Sequence, residues 1–98
     1  MSFTQLRERM ESSSEVQIVN KYGLHARPAA ELVKLANRFA SEVWIRKDDV
    51  EVSGKSIMGV MMLAAECGST LRIRALGEDS PAAVDALVEL VRNRFGED

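Results

Sequence analysis

The sequence predicts an α+β fold, an open-faced β-sandwich in which three helices cover one face of a four-stranded, mainly antiparallel sheet. Three observations predict it. Strand-like and helix-like segments follow one another in the order βαββαβα, the strand segments place polar residues at alternate positions, and each long helical segment carries one apolar stripe. A helix with one stripe needs a single surface to cover, and an alternating strand needs only one covered face, so one sheet with helices on one side satisfies both.

The opening stretch, MSFTQLRERMESSS, is polar and holds nothing like the apolar segment of a signal peptide, so secretion is not indicated. Leu6 and Met10 stand four apart and suit one helical turn, so residues 1–14 read as an extension, either a flexible solvated tail or a short helix. The domain is then expected over residues 15–98. EVQIV alternates Val16 and Ile18 against Gln17 as a half-buried strand does. After a loop through Gly23, Ala29, Leu32, Val33, Ala36 and Phe39 fall at helical spacing, giving a helix from Pro28 to Ala40.

EVWIR and VEVSG flank KDD as two strands around a hairpin turn. SIMGVMMLAA reads as a short helix with Ser56 as its cap and Gly68 beyond its end. LRIRA alternates Leu71 and Ile73 with Arg72 and Arg74. The last helix opens with Ser80 as cap and Pro81 in its first turn, and Val84, Leu87, Val91 and Phe95 form its stripe.

Composition excludes several functions. Ninety-eight residues suit one core, and 46% hydrophobic with 29% charged residues is the balance of a globular protein. A net charge of −2 offers no basic excess for nucleic acid or an anionic membrane, and no apolar run is long enough to insert in one. Cys67 has no disulfide partner, and with one histidine it cannot build a metal cluster, so a reducing cytoplasmic setting and no metal are expected. Cys67 itself reads as a small buried residue. SGKS lacks the earlier glycine of a phosphate loop, since Val50 to Ser53 supply none, which rules out ATP binding by that motif. Asp48, Asp49, Glu78 and Asp79 read as solvated turn charges.

His25 is the only histidine. A lone histidine in a loop can be a plain surface or capping residue. Here, however, Pro28 marks the first helical turn, which puts His25 at the helix start, where unpaired amides and the helix dipole favour negative charge. Arg27 adds a permanent cation suited to phosphate or carboxylate. A nucleophilic nitrogen beside a modest anion-binding surface fits a side chain that accepts a phosphoryl group and releases it again.

GLHARPAA followed by GKSIMGVMMLAA resembles the HPr family, the histidine-containing phosphocarriers of the bacterial phosphoenolpyruvate-dependent sugar phosphotransferase system, over Glu15 to Phe95. The resemblance implies that His25 is phosphorylated at Nδ1 by phospho-enzyme I and passes the group to IIA components of sugar permeases, with Arg27 steadying the phosphate. It implies a carrier without independent turnover, needing no cofactor. Ser56, a cap on local grounds, also matches the serine that HPr kinase/phosphorylase modifies in many bacteria; a dianion at a helix start leaves the fold intact while changing the docking surface.

Ile57, Met58, Met61 and Met62 are too many apolar residues for one buried stripe. At least one or two of them, Ile57 and Met58, are expected on the surface beside His25, with Met61 and Leu24 joining a transient docking patch. The resemblance implies that enzyme I, IIA proteins and the kinase meet there, and transcriptional regulators are expected as further partners. A monomer is expected. Two alternatives share the sequence features: a nitrogen-related paralogue that relays phosphate without sugar transport, and a binding module acting only through phosphorylated Ser56.

Overall fold

The computed structural model describes Ser2 and residues 10–97. The chain runs through β1 (Glu11–Gln17), α1 (Ala26–Ala36), β2 (Glu42–Lys47), β3 (Val50–Ser53), α2 (Ile57–Met62), β4 (Thr70–Leu76) and α3 (Ser80–Arg92), and ends in a tight turn over Arg94–Gly96. This is the βαββαβα order. The strands form one antiparallel sheet in the order β1-β4-β2-β3. One row crosses all four strands, with Ser14 opposite Ile73, Ile73 opposite Ile45 and Ile45 opposite Val52.

The helices cover one face of this sheet. Leu71, Ile73 and Ala75 of β4 and Val43 and Ile45 of β2 point into the core with Leu32, Val60, Leu87 and Val91 from the helices. The other face is open and charged. There Arg74 lies 4.0 Å from the centre of the Trp44 ring and pairs with Glu11 at 2.7 Å and Glu51 at 3.0 Å. Those two carboxylates hold the guanidinium in its charged form.

Several element ends differ from expectation for identifiable reasons. β1 begins at Glu11, four residues before the expected boundary at Glu15, so residues 11–14 leave the expected extension and join the sheet. Its inward positions are Ser12, Ser14 and Val16, and the two serines carry no hydrophobic signal. Ser12 instead meets Ser80 hydroxyl to hydroxyl at 3.2 Å, and Ser80 donates to the Met10 carbonyl at 2.8 Å. The expected helix around Leu6 lies outside the described residues.

α1 starts two residues early, at Ala26, and stops at Ala36, where the Asn37 side chain donates to the Val33 carbonyl at 2.9 Å. Ser80 is not the cap of α3 but its first residue; Asp79 stands at the cap position. Asp79 is also not a free solvated charge. Its carboxylate accepts from the Ala40 amide at 2.8 Å, the Ser41 amide at 2.9 Å and the Ser41 hydroxyl, pinning the turn between α1 and β2. The Ser41 hydroxyl, then the Ala40 amide, hold its pKa below the usual carboxylate range. Cys67, expected to be buried, is exposed in the turn before β4. Among the described residues no helix is long and apolar enough to cross a membrane.

Candidate functional site

His25 occupies the N-cap of α1 with extended backbone (φ −73°, ψ −176°), and its side chain makes no capping bond. A capping role is therefore not what places it there. The first turn leaves the amides of Ala26 and Arg27 without intrahelical partners, Pro28 has no N–H to strand, and the first regular bond runs from the Ala29 amide to the His25 carbonyl at 3.0 Å. Pro28 and Ala29 are buried, whereas Arg27 is exposed and, among the described residues, makes no ion pair or hydrogen bond. Guanidinium and amides thus remain available to a ligand anion at this helix end.

The loop before His25 is held against the segment after α2. The Leu24 amide donates to the Ala65 carbonyl at 2.8 Å, and Gly23, at φ +66°, packs so closely on Ala65 and Glu66 that a Cβ would fall 2.8 Å from the Glu66 Cα. Only glycine fits there. The same packing buries Leu24 to 4% exposure, which corrects its assignment to the docking patch: its side chain is a core element beneath the site.

The imidazole is 40% exposed and its Nε2 lies 2.9 Å from Oε2 of Glu97. A carboxylate accepts, so in the neutral ring Nε2 carries the proton and Nδ1 keeps a lone pair with no partner among the described residues. The other Glu97 oxygen accepts from Nδ2 of Asn20 at 2.9 Å, and the same Nδ2 donates to the Gly23 carbonyl at 2.8 Å. Tyr22 meets the imidazole edge-on with 6.3 Å between ring centres. Asn20, Tyr22 and Glu97 escaped the sequence reading. The first two stand in the NKYGLH loop, but Glu97 is 72 positions from His25 and lies past the last helix, where nothing in the pattern signals a return to the site.

Ser56 is the N-cap of α2, and its hydroxyl accepts from the Gly59 amide at 3.1 Å. Lys55 beside it donates to the Phe39 carbonyl at 2.8 Å. Of α2, only Val60 is buried; Ile57, Met58, Met61 and Met62 are all exposed, Met58 to 70% and Met62 to 76%. The short helix therefore presents Met62 beside the three of its residues expected in the docking patch, and it packs beside α1, the helix that carries His25.

The family model for "PTS HPr component phosphorylation site" matches residues 12–93. A phosphocarrier protein HPr of Cupriavidus necator is 51% identical over 83 residues, covering 85% of this chain and 93% of that protein. The crystal structure of HPr-C-His from Thermoanaerobacter tengcongensis superposes with a TM-score of 0.85 at 44% identity, over 89% of this chain and 98% of the other. The Bacillus subtilis catabolite repression protein Crh, described as a swapped dimer, superposes at 0.69 with 44% identity, over 81% and 91%. The fold agrees with those of these structures, and the chain belongs to the HPr family of phosphocarriers of the phosphotransferase system.

Proposed function

We propose that His25 accepts a phosphoryl group from phospho-enzyme I through Nδ1 and hands it to IIA components of sugar permeases in the cytoplasm. The observation that carries this reading is the ring itself, exposed at a helix start with Nε2 engaged and Nδ1 free among the described residues. Nδ1 supplies its lone pair to phosphorus, the donor leaves with the electron pair of its own bond, and the free amides of Ala26 and Arg27 with the Arg27 guanidinium face the incoming charge. Glu97 opposes that charge from the other side of the ring. The balance keeps the group weakly held, as a carrier needs, because charge-assisted bonds of about 1.5–3 kcal/mol each would otherwise trap it.

Ser56 serves as a second, regulatory phosphorylation site for an HPr kinase/phosphorylase. A phosphate there would meet the start of a helix whose exposed face is Ile57, Met58, Met61 and Met62, the surface read as the docking patch for enzyme I, IIA proteins, the kinase and transcriptional regulators. The protein acts as a monomer in this scheme. Intact-mass measurement after separate incubation with phosphoenolpyruvate plus enzyme I and with ATP plus the kinase tests both sites: the first should add one acid-labile phosphate, the second one acid-stable phosphate. No adduct with a competent donor overturns the corresponding assignment.

A further inference from the structure

We propose that Glu97, oriented by Asn20, is a positioning residue that keeps the His25 ring proton on Nε2 through both halves of the relay. The inference rests on the reading of His25 as the phosphoryl acceptor. It begins with Asn20, which is completely buried. Both hydrogens of its Nδ2 are used, one on the Gly23 carbonyl at 2.8 Å and one on Glu97 Oε1 at 2.9 Å. Its Oδ1 has no partner among the described residues. Reversing the amide would turn that oxygen onto two acceptors, so the observed orientation is the one the surroundings enforce.

Glu97 is thus held at both ends, by Asn20 through one oxygen and by His25 through the other. The chain reaches this place by an uncommon path. Arg94 and Phe95 adopt φ of 59° and 55°, followed by Gly96 at 78°, and the bulky Phe95 is buried as the turn's anchor. L-residues with large side chains seldom occupy this region, and two in succession mark a turn whose outcome is worth its strain. That outcome is the delivery of the Glu97 carboxylate to the imidazole. The family match ends at residue 93, before this segment.

The tautomer of a neutral imidazole is set by the hydrogen bond its other nitrogen makes. With the proton on Nε2, Nδ1 attacks phosphorus as the donor's bond breaks, and the ring becomes a cation bearing Nε2–H and Nδ1–P. The Glu97 carboxylate offsets that charge. When the next acceptor attacks, the Nδ1–P bond breaks, its electron pair returns to Nδ1, and the neutral Nε2–H ring is restored. No proton moves at His25 in either direction.

The test compares the full chain with E97A and E97Q. In E97Q, Asn20 holds the new amide's oxygen toward itself, so the NH₂ faces His25 Nε2 and donates to it, driving the ring proton to Nδ1. Nitrogen-15 spectra of the unphosphorylated, neutral histidine should show the Nε2–H form in wild type, a mixture in E97A and a shift toward Nδ1–H in E97Q. Phosphorylation rates with phosphoenolpyruvate and enzyme I should fall in the same order, with E97Q slowed about tenfold or more, the size of one charge-assisted hydrogen bond.

A contact that is only structural predicts the reverse order, because glutamine is the closer mimic in shape. Equal tautomer populations in wild type and E97A, or an E97Q that accepts phosphate as fast as wild type, overturn the proposal. The spectra decide tautomer control on unphosphorylated protein, whereas a wild type that refuses phosphate from enzyme I overturns the acceptor reading and the transfer role with it.

Discussion

The imidazole of His25 and the carboxylate of Glu97 meet at 2.9 Å across 72 positions of chain, which leaves Nδ1 as the ring nitrogen without a partner among the described residues. The contact joins the start of the first helix to the turn after the last one. It turns a surface histidine into an oriented one.

Because the ring is exposed and its polar contact with Glu97 is at the surface, His25→Ala should abolish phosphoryl acceptance while leaving the fold in place. An exposed pair contributes about 0–1 kcal/mol, so Tm should fall by no more than about 4–8 °C. Arg27→Ala should slow transfer without moving Tm, since Arg27 supports nothing else among the described residues. Intact-mass kinetics and thermal denaturation check both; a collapse of stability in His25→Ala would show a structural histidine instead.

Ser56 caps α2 through the Gly59 amide, so Ser56→Ala should cost about 0.5–2 kcal/mol in chemical denaturation. Ser56→Asp keeps a capping oxygen and so should retain most of that stability, yet it should slow phosphorylation of His25 by placing a charge beside the apolar patch. Unchanged transfer kinetics in Ser56→Asp would remove the regulatory role.

Met58 and Met62 are mostly exposed, so replacing either with lysine should change stability by less than about 0.5 kcal/mol. If α2 is the docking surface, the same changes should lower kcat/KM for the phosphoryl donor by roughly tenfold, the cost of a moderate interface contact. Leu24→Ala should behave oppositely, losing about 2–5 kcal/mol because its side chain is core.

Asp79 is more acidic in the folded protein than in the unfolded chain, so its contribution to stability is fully present above the unfolded value of about 3.9 and is lost as pH falls through the lower folded value. Asp79→Asn should therefore lower Tm at pH 7 and flatten the fall of stability below about pH 4. Urea denaturation of both proteins from pH 7 to pH 2 checks this; parallel curves would mean that the Ser41 and Ala40 contacts contribute nothing.

Much of this was legible in the sequence because burial writes a periodic signal. Leu71 and Ile73 alternating with Arg72 and Arg74 announced β4, and Ser56 before an apolar run announced the cap of α2. The misreadings share a physical cause. Ser12 and Ser14 face inward without being apolar, Asp79 is satisfied by neighbours 38 and 39 positions away, and Leu24 is buried by a loop that only the folded chain brings over it. At the site, His25 and Arg27 stood out through local spacing on one helix start. Asn20 and Glu97 did not, because their pairing depends on where the chain turns after α3.

The most direct measurement of the central claim is correlated phosphorus-31 and nitrogen-15 spectroscopy of the protein after phosphorylation by phosphoenolpyruvate and enzyme I, with His25→Ala alongside. One phosphoryl group bonded to Nδ1 of His25, and none in the variant, is the predicted result. Phosphorus on Nε2, on another residue, or still present in His25→Ala would contradict the account.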